Sequence, residues 1–367
     1  MRPLAHYLLA GTAVLLIGCG TDPATSPASP AATEVTSVRH PWHPTLTVMS
    51  QNIYVGANVD AILAALGSGD PALIQQVLAE QMQVLAETDF PTRAAALAAE
   101  IADRRPHVVG LQEMSRIHLD LNVFGVPATY DMDFLPVLLA ALEARGLHYR
   151  VAAKVENMTA EPVPGYVRLT DFDVVLVDGR RTLLDPEATV AHTYAVNLGP
   201  VAPGVSLVRG FVAIKVRVEG RWYRVGSTHL EDDLGPLQLS DLRAAQMQEL
   251  VGTLEDAPRA IIMGDLNDTI DSPMYQVAVG AGFIDAWDAL HPGREGATCC
   301  HSSNLTNDRI PDERIDFVLA RGFARPERLD GHIARIGLAP EDMVDGPFHP
   351  IYAADHAGLV ARLIGDW

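Results

Sequence analysis

Apolar residues recur along this chain in two periods. Short runs rich in branched residues, each closed by polar ones, predict strands at 46–52, 107–113, 173–177, 211–218, 222–230, 260–265, 314–320 and 358–363. Between them, apolar residues three and four apart predict helices over 58–66, 71–86, 91–104, 133–145, 238–251 and 272–281. Asp70-Pro71 and Phe90-Pro91 place proline in the first turn of two helices, where its missing N–H is not needed. Arg104-Arg105 suit the C-terminal end of the 91–104 helix. No internal repeat is evident. Strands mixed with helices throughout predict a layered α/β domain.

The first 44 residues do not follow this pattern. Arg2 precedes a short apolar run, Leu8 to Ile17, which is too short to cross a bilayer but suits the core of a signal peptide. The run ends in Leu16-Ile17-Gly18-Cys19, which resembles the lipobox of bacterial lipoproteins. That resemblance implies a signal peptide over 1–18 and lipidation of Cys19; a plain secretory signal is the alternative. Gly20 stands where, by the same analogy, an Asp would retain the protein at the inner membrane. Residues 19–44 are rich in Pro, Ala, Ser and Thr and read as a flexible tether to a folded domain over 45–367. The expected location is the cell envelope, lipid-anchored at the outer membrane or cell surface.

Composition narrows the classes. The chain has 367 residues, 48% hydrophobic and 20% charged, enough for a large core. Lys+Arg 27 against Asp+Glu 46 leaves a net charge of −19. Lys154 and Lys215 are the only lysines, so a nucleic-acid partner is not favoured by charge. Three cysteines exclude a disulfide framework and a Cys-based zinc ribbon.

The most specific string is Ala260-Ile261-Ile262-Met263-Gly264-Asp265-Leu266-Asn267-Asp268. Four apolar residues predict a buried strand, and Gly264 lets it turn. On an extended backbone Asp265 and Asn267 share one face. There the carboxylate can take or steer a proton from water, and the amide can orient a nucleophile or donate to an anion. Other predicted strands end or begin in the same way, at Asn52, Gln112-Glu113, Thr228-His229 and Asp355-His356. Each alone reads as a solvated or structural residue. Together they predict one polar cleft at one edge of a sheet system.

In order along the chain, Asn52, Gln112-Glu113, Arg209, His229, Asp265-x-Asn267, Asp316 and Asp355-His356, with MGDLN, RIDFVLA and DHAGLV around the last of them, resemble the endonuclease/exonuclease/phosphatase superfamily over about 46–365. The resemblance implies an α/β fold, the four-layer α/β/β/α sandwich of DNase I-like proteins, as a single domain. It implies metal-dependent phosphoester hydrolysis, with Mg²⁺ as cofactor and Mn²⁺ as a substitute. Glu113 is then the principal metal ligand, and Asn52 and Asp355 are ligands or water-mediated supports. Asp265 activates or orients water, with Asn267 as partner. His356, steered by Asp316, and His229 face the phosphate, which Arg209 and Asn267 also bind. Asp171 is the candidate acid for orienting the first histidine.

Four stretches depart from the family pattern or stand outside it. Where DNase I-like members carry a tyrosine two residues before that acid, this chain has Leu169, which removes support for nuclease-style contacts. The long segment 58–104 reads as an outer helical layer, with a wall of the cleft as the alternative. Thr298-Cys299-Cys300-His301 reads as a structural loop rather than a metal site, because adjacent thiols and one His make a poor tetrahedron, although His301 can lie near the cleft. Asp285-Ala286-Trp287 reads as packing. The expected function is a lipid-anchored phosphodiesterase or phosphatase acting on a phosphoester substrate. An extracytoplasmic nuclease, a sphingomyelinase-like head-group hydrolase and a non-catalytic surface binding protein are the alternatives, and oligomeric state is open.

Overall fold

Period-two strands sort their side chains onto two faces, and here both faces are covered. The computed structural model describes residues 44–234, 237–325 and 328–365. The expected signal segment, the lipidation site Cys19 and the tether up to residue 43 lie outside the described residues. In chain order come β1 (Thr45–Asn52), α1 (Val59–Ser68), α2 (Pro71–Thr88), α3 (Phe90–Arg104), β2 (Val108–Gln112), β3 (Arg116–Asp120), β4 (Thr129–Asp133) and α4 (Phe134–Ala144). Next are β5 (Tyr149–Val163), β6 (Val167–Asp178), β7 (Leu183–Thr193), β8 (Gly199–Ala202), β9 (Val205–Leu207), β10 (Gly210–Val218) and β11 (Arg221–His229). The rest are α5 (Ser240–Thr253), β12 (Ala260–Asp265), α6 (Pro273–Gly280), β13 (Ile284–Asp285), α7 (Ala286–Leu290), β14 (Asp316–Arg321), β15 (Gly331–Ile336) and β16 (Gly358–Ile364).

Two sheets result. One runs β15-β16-β1-β2-β6-β5-β9-β8, with β3 joining β6 to β4; the other runs β13-β14-β12-β11-β10-β7. Alternation fixes what each strand touches. In β6, Val175 and Val177 face the layer between the sheets, where they meet Val212, Ile214 and Ile261 of the second sheet. Val174 and Leu176 face the other way, into a core with Leu97 and Ile101 of α3 and Phe134 and Leu138 of α4. In β12, Ile261 and Met263 enter the inter-sheet layer, whereas Ala260 and Ile262 pack on Met247 and Leu250 of α5. Three apolar layers separate four structural ones, so the chain is an α/β/β/α sandwich. Burial at roughly 25 cal/mol per Å² of apolar surface is what holds such layers together.

Helix starts follow the expected chemistry. Asp70 accepts from the amides of Ala72 and Leu73 ahead of Pro71, and Asp89 accepts from Thr92 N at the start of α3. Segment 58–104 divides between the two readings. α3 packs in the outer layer against α4, while Leu63 and Leu66 of α1 and Ile74 of α2 line the cleft described below.

Gly264 leaves no room for a side chain. Its φ is +151°, and a Cβ there would lie 1.8 Å from Thr228 O of the neighbouring strand. Gly264→Ala is therefore expected to cost about 3 kcal/mol or more, because the obstacle is backbone and cannot rotate away. A thermal melt checks this; an unchanged midpoint would contradict the close approach.

Candidate active site

Sheet pairing brings the polar strand ends together. β1 and β2 run parallel with Asn52 opposite Gln112, and β11 and β12 run parallel with His229 opposite Asp265. β14 starts at that edge, with Asp316 opposite Asp265. β16 pairs antiparallel with β1, Leu359 opposite Ser50, which delivers the preceding Asp355-His356 to the same place. A cavity of about 1010 Å³ opens here, lined by Glu113, Asp171, Arg209, His229, Asp265, Asn267, Asp355 and His356. Asn52 and Asp316 are tied to it by hydrogen bonds.

Two of these side chains arrive differently from expectation. β12 stops at Asp265, and Asn267 sits at φ +49° rather than on an extended backbone. A left-handed turn, not strand alternation, aims it at the cleft. Glu113 likewise leaves β2 at φ +59°. Left-handed backbone costs a non-glycine residue of order 1 kcal/mol and persists where surroundings over-determine it. Here they do: Asn267 N donates to Asp265 Oδ1 at 3.0 Å and its Nδ2 to Leu230 O at 3.0 Å. Glu113 Oε2 accepts from Val55 N at 2.7 Å.

Asp265 is the centre of the network. Its Oδ2 accepts from Asn52 Nδ2 at 3.0 Å and lies 3.6 Å from His229 Nε2 and 3.8 Å from His356 Nδ1. Burial, then the neighbouring Asp316, push its carboxyl up to about 7. His356 Nδ1 is held by Asp316 Oδ2 at 2.8 Å. Burial alone would lower this imidazole, but Asp316 and Asp265 outweigh it and hold it well above its usual value. His229 goes the other way. Burial, then the charges of Arg209 and His356, push it well below the ordinary imidazole range. One histidine is thus cationic and the other neutral, a split the sequence does not reveal.

Arg209 is fixed before any substrate arrives. Its Nε donates to Glu231 Oε1 at 3.0 Å, and its backbone N donates to Asn197 Oδ1 at 2.7 Å. Burial would lower the guanidinium, but Glu231 and Asp171 more than compensate and raise it. Such a clamp restricts the fork to one orientation.

The residues present fit a hard divalent cation. Asp355 Oδ1 is buried without a hydrogen-bond partner. Burial raises the Asp355 carboxyl to about 7, and although His356 pulls it down, Glu113 adds to the rise. Two acids that repel in a buried cleft, with an unpaired oxygen, are relieved by a cation, and their oxygens suit Mg²⁺. Asn52 is bonded on both sides of its amide. Its Oδ1 accepts from Tyr54 N at 3.0 Å, and its Nδ2 donates to both Glu113 Oε1 and Asp265 Oδ2. That makes it a support tying the metal-side acid to the water-side acid. Asp265, Asp316 and His356 also present ligand atoms within 4.8 Å of one another, but there the protonated imidazole already sits between the carboxylates.

Asp171 does not orient a histidine. It lines the cleft, but its oxygens accept from Ser115 Oγ at 2.9 Å and Asn157 Nδ2 at 3.3 Å. His229 Nδ1, which an orienting acid would engage, has no hydrogen-bond partner among the described residues. The loop at Cys299-Cys300 is more than structural: both cysteines line the cleft and are joined in a disulfide. His301 also borders the cavity, but its ring nitrogens face Arg309 O and Gly337 O and it stacks on Tyr352. Glu231 and Arg93 are site residues the sequence pattern misses. Glu231 lies two positions after His229, the one signal that could have flagged it. Arg93 sits beneath the site in α3, indistinguishable in sequence from a surface cation.

A carboxylate set beside a cationic imidazole, with a clamped guanidinium and hard oxygens opposite, serves water attack on an ester of phosphorus. With the four-layer sandwich, these features are those of the phosphoester-hydrolase class. A model of the Endonuclease/Exonuclease/phosphatase family matches residues 49–356, and the chain belongs to that family. No curated protein matches it. Among solved structures, a family protein from Bacteroides thetaiotaomicron shares 13% identity, covering 88% of this chain and 95% of its own, with a TM-score of 0.55. One from Bacteroides vulgatus shares 14%, covering 88% and 99%, with a TM-score of 0.52. The human Nocturnin catalytic domain with bound sulfate shares 16%, covering 87% and 93%, with a TM-score of 0.51. At these identities the likeness is one of fold.

Proposed function

We propose that this chain is a Mg²⁺-supported phosphodiesterase, and that its substrate carries an apolar substituent on the esterified phosphate. The observation that carries the reaction is the meeting of Asp265, His356, Arg209, Glu113 and Asp355 in one cavity. Asp265, held by Asn52 and the Asn267 amide, accepts a proton from the attacking water. His356 and Arg209 place positive charge against the non-bridging oxygens, and Asn267 can donate to the same group. Glu113 and Asp355 would hold the cation. When bound, it supplies a Lewis acid that neutralises charge developing on the phosphoester oxygens. His229, held neutral, can donate one hydrogen bond without adding charge.

The walls support the substrate class. Leu63, Leu66, Phe124, Met158, Leu169 and Leu207 line the cavity around the polar centre. Leu169 stands where the family resemblance expects tyrosine, and it adds apolar surface. Asp232, Asp233 and Glu313 border the same cavity. An acidic border opposes a polyanionic backbone, whereas a phosphodiester with a hydrocarbon chain, such as a phospholipid, finds both contacts. A lipid anchor at Cys19 would hold such an enzyme beside its substrate, which is the location we propose.

A substrate panel tests this. The full chain is expected to hydrolyse bis-p-nitrophenyl phosphate and sphingomyelin with Mg²⁺, and to lose both activities in EDTA. Plasmid DNA is expected to be cut slowly if at all. Preferential cleavage of DNA would replace the substrate class, and inertness toward every member with Mg²⁺ or Mn²⁺ would remove the hydrolase reading.

A further inference from the structure

The cysteine pair occupies a built position. Thr298 Oγ1 accepts from the amides of Ile315 and Asp316, each at 3.2 Å. Cys299 N donates to Glu313 O at 2.9 Å, Ala357 N to Thr298 O at 2.8 Å, and His301 N to Asp355 O at 2.7 Å. These bonds clamp the two cysteines between the start of β14 and the Asp355-His356 turn. Cys300 Sγ lies 3.7 Å from His356 Nε2. The ligand atoms of Cys299, Cys300 and His356 all fall within 4.8 Å of one another.

A bond between sequence neighbours does nothing as a staple. Disulfides stabilise by closing loops in the unfolded chain, and this one encloses no residues between its ends. What the position does offer is two sulfurs and one imidazole nitrogen facing an open cleft. The nitrogen is already oriented, because Asp316 holds Nδ1 at 2.8 Å and leaves Nε2 outward. A carboxylate behind a ligating histidine is the arrangement that fixes the ring and raises its donor strength.

We propose that, once reduced, Cys299 and Cys300 join His356 Nε2 in a binding site for a soft divalent cation of the Zn²⁺ or Cd²⁺ kind. Reduction by an external dithiol transfers two electrons and two protons to the sulfurs, and the dithiol becomes a disulfide. Binding then displaces the two thiol protons and the Nε2 proton of His356, and solvent takes up all three and supplies the remaining position around the ion. Metal–sulfur and metal–nitrogen bonds of about 2.3 and 2.0 Å set tetrahedral ligand atoms roughly 3.5–3.8 Å apart. Cys300 Sγ and His356 Nε2 already stand at 3.7 Å, and the two sulfurs, freed of their bond, must move apart to that spacing. Glu113 and Asp355 offer only oxygens, so one cleft sorts cations by donor softness. Occupancy of the soft site removes His356 from the phosphoester. That last consequence rests on the hydrolase reading; the binding itself does not.

The test uses the full chain, reduced with a dithiol that is then removed under inert gas. Titration with Cd²⁺ is expected to produce an ultraviolet thiolate-to-metal absorption that saturates at about one equivalent. Neither the oxidised chain nor the Cys299→Ser/Cys300→Ser double variant should show it. Cys19 is present in all forms, so the difference isolates the pair. His356→Ala, which keeps both thiols, is expected to bind Cd²⁺ roughly tenfold or more weakly. In the reduced chain, Mg²⁺-supported hydrolysis should fall in step with the absorption, while in the double variant Cd²⁺ should leave the rate where it was. No absorption in the reduced chain, or equal absorption in the double variant, overturns the site. Absorption without loss of turnover overturns its effect on His356, and absorption in a chain that hydrolyses nothing leaves the site standing while removing the proposed activity.

Discussion

Asp265→Asn is expected to lower kcat for bis-p-nitrophenyl phosphate by about 10³-fold, the scale of a lost general base in a preorganised site. Asparagine is nearly isosteric, but it offers one carbonyl oxygen where Asp265 uses two, so only one of the Asn267 amide (at Oδ1) and Asn52 Nδ2 (at Oδ2) keeps its acceptor. What disappears is the proton acceptor, together with one of the three negative charges, of Asp316, Asp265 and Asp355, that hold His356 protonated. The fold should survive, because burial already disfavours the ionised carboxyl and raises it to about 7. Steady-state rates beside a thermal melt give the answer. A variant that turns over within about threefold of wild type would show that another group accepts the proton.

The second large effect is structural. Arg93 is 1% exposed, yet its guanidinium is a hub. Nε donates to Thr88 O at 2.7 Å, and the terminal nitrogens donate to the carbonyls of Ile53, Tyr54 and Ala353. The group also stacks over Phe90 and Tyr54 at 5.1 and 5.8 Å. Burial lowers its proton affinity to about 10, so it remains cationic at neutral pH. Arg93→Met fills much of the volume but strands four carbonyls. The expected loss is about 3–5 kcal/mol, the cost of removing one partner from a buried charged network. For a domain of this size that lowers the melting midpoint by roughly 6–10 °C. Lysine should not rescue it, having one nitrogen where four carbonyls need several donors. A midpoint within about 2 °C of wild type would contradict the account.

The layers were legible in the sequence because strands buried on both faces carry apolar residues at every position, as Val174 to Val177 do. Strands with exposed faces were not. β7, with Leu183, Glu187 and His192 exposed, contains Pro186 and forms the edge of its sheet. Its hydrogen bonds to β10 hold it, and main-chain bonds leave no mark on composition. The site was legible to the extent that a polar residue closing an apolar strand stands out. Partners that meet only through the fold were not, such as Glu231 with Arg209 or Cys300 with His356. Nor was charge state, since the opposite shifts of His229 and His356 arise from neighbours distant in sequence. Nor was the left-handed backbone at Glu113 and Asn267: both border the cleft, and Asn267 does so by turning where strand alternation was expected.

The pairing of β16 with β1 sets a schedule. Asn52 is synthesised early, yet His356 comes near the end of the folded sequence, just before the strand that docks beside β1. A growing polypeptide can assemble most of both sheets and still lack the imidazole opposite Asp265. On the proposed function, the site is complete only in a chain that extends through the 358–364 strand, whose pairing with β1 sets Asp355-His356 beside Asp265.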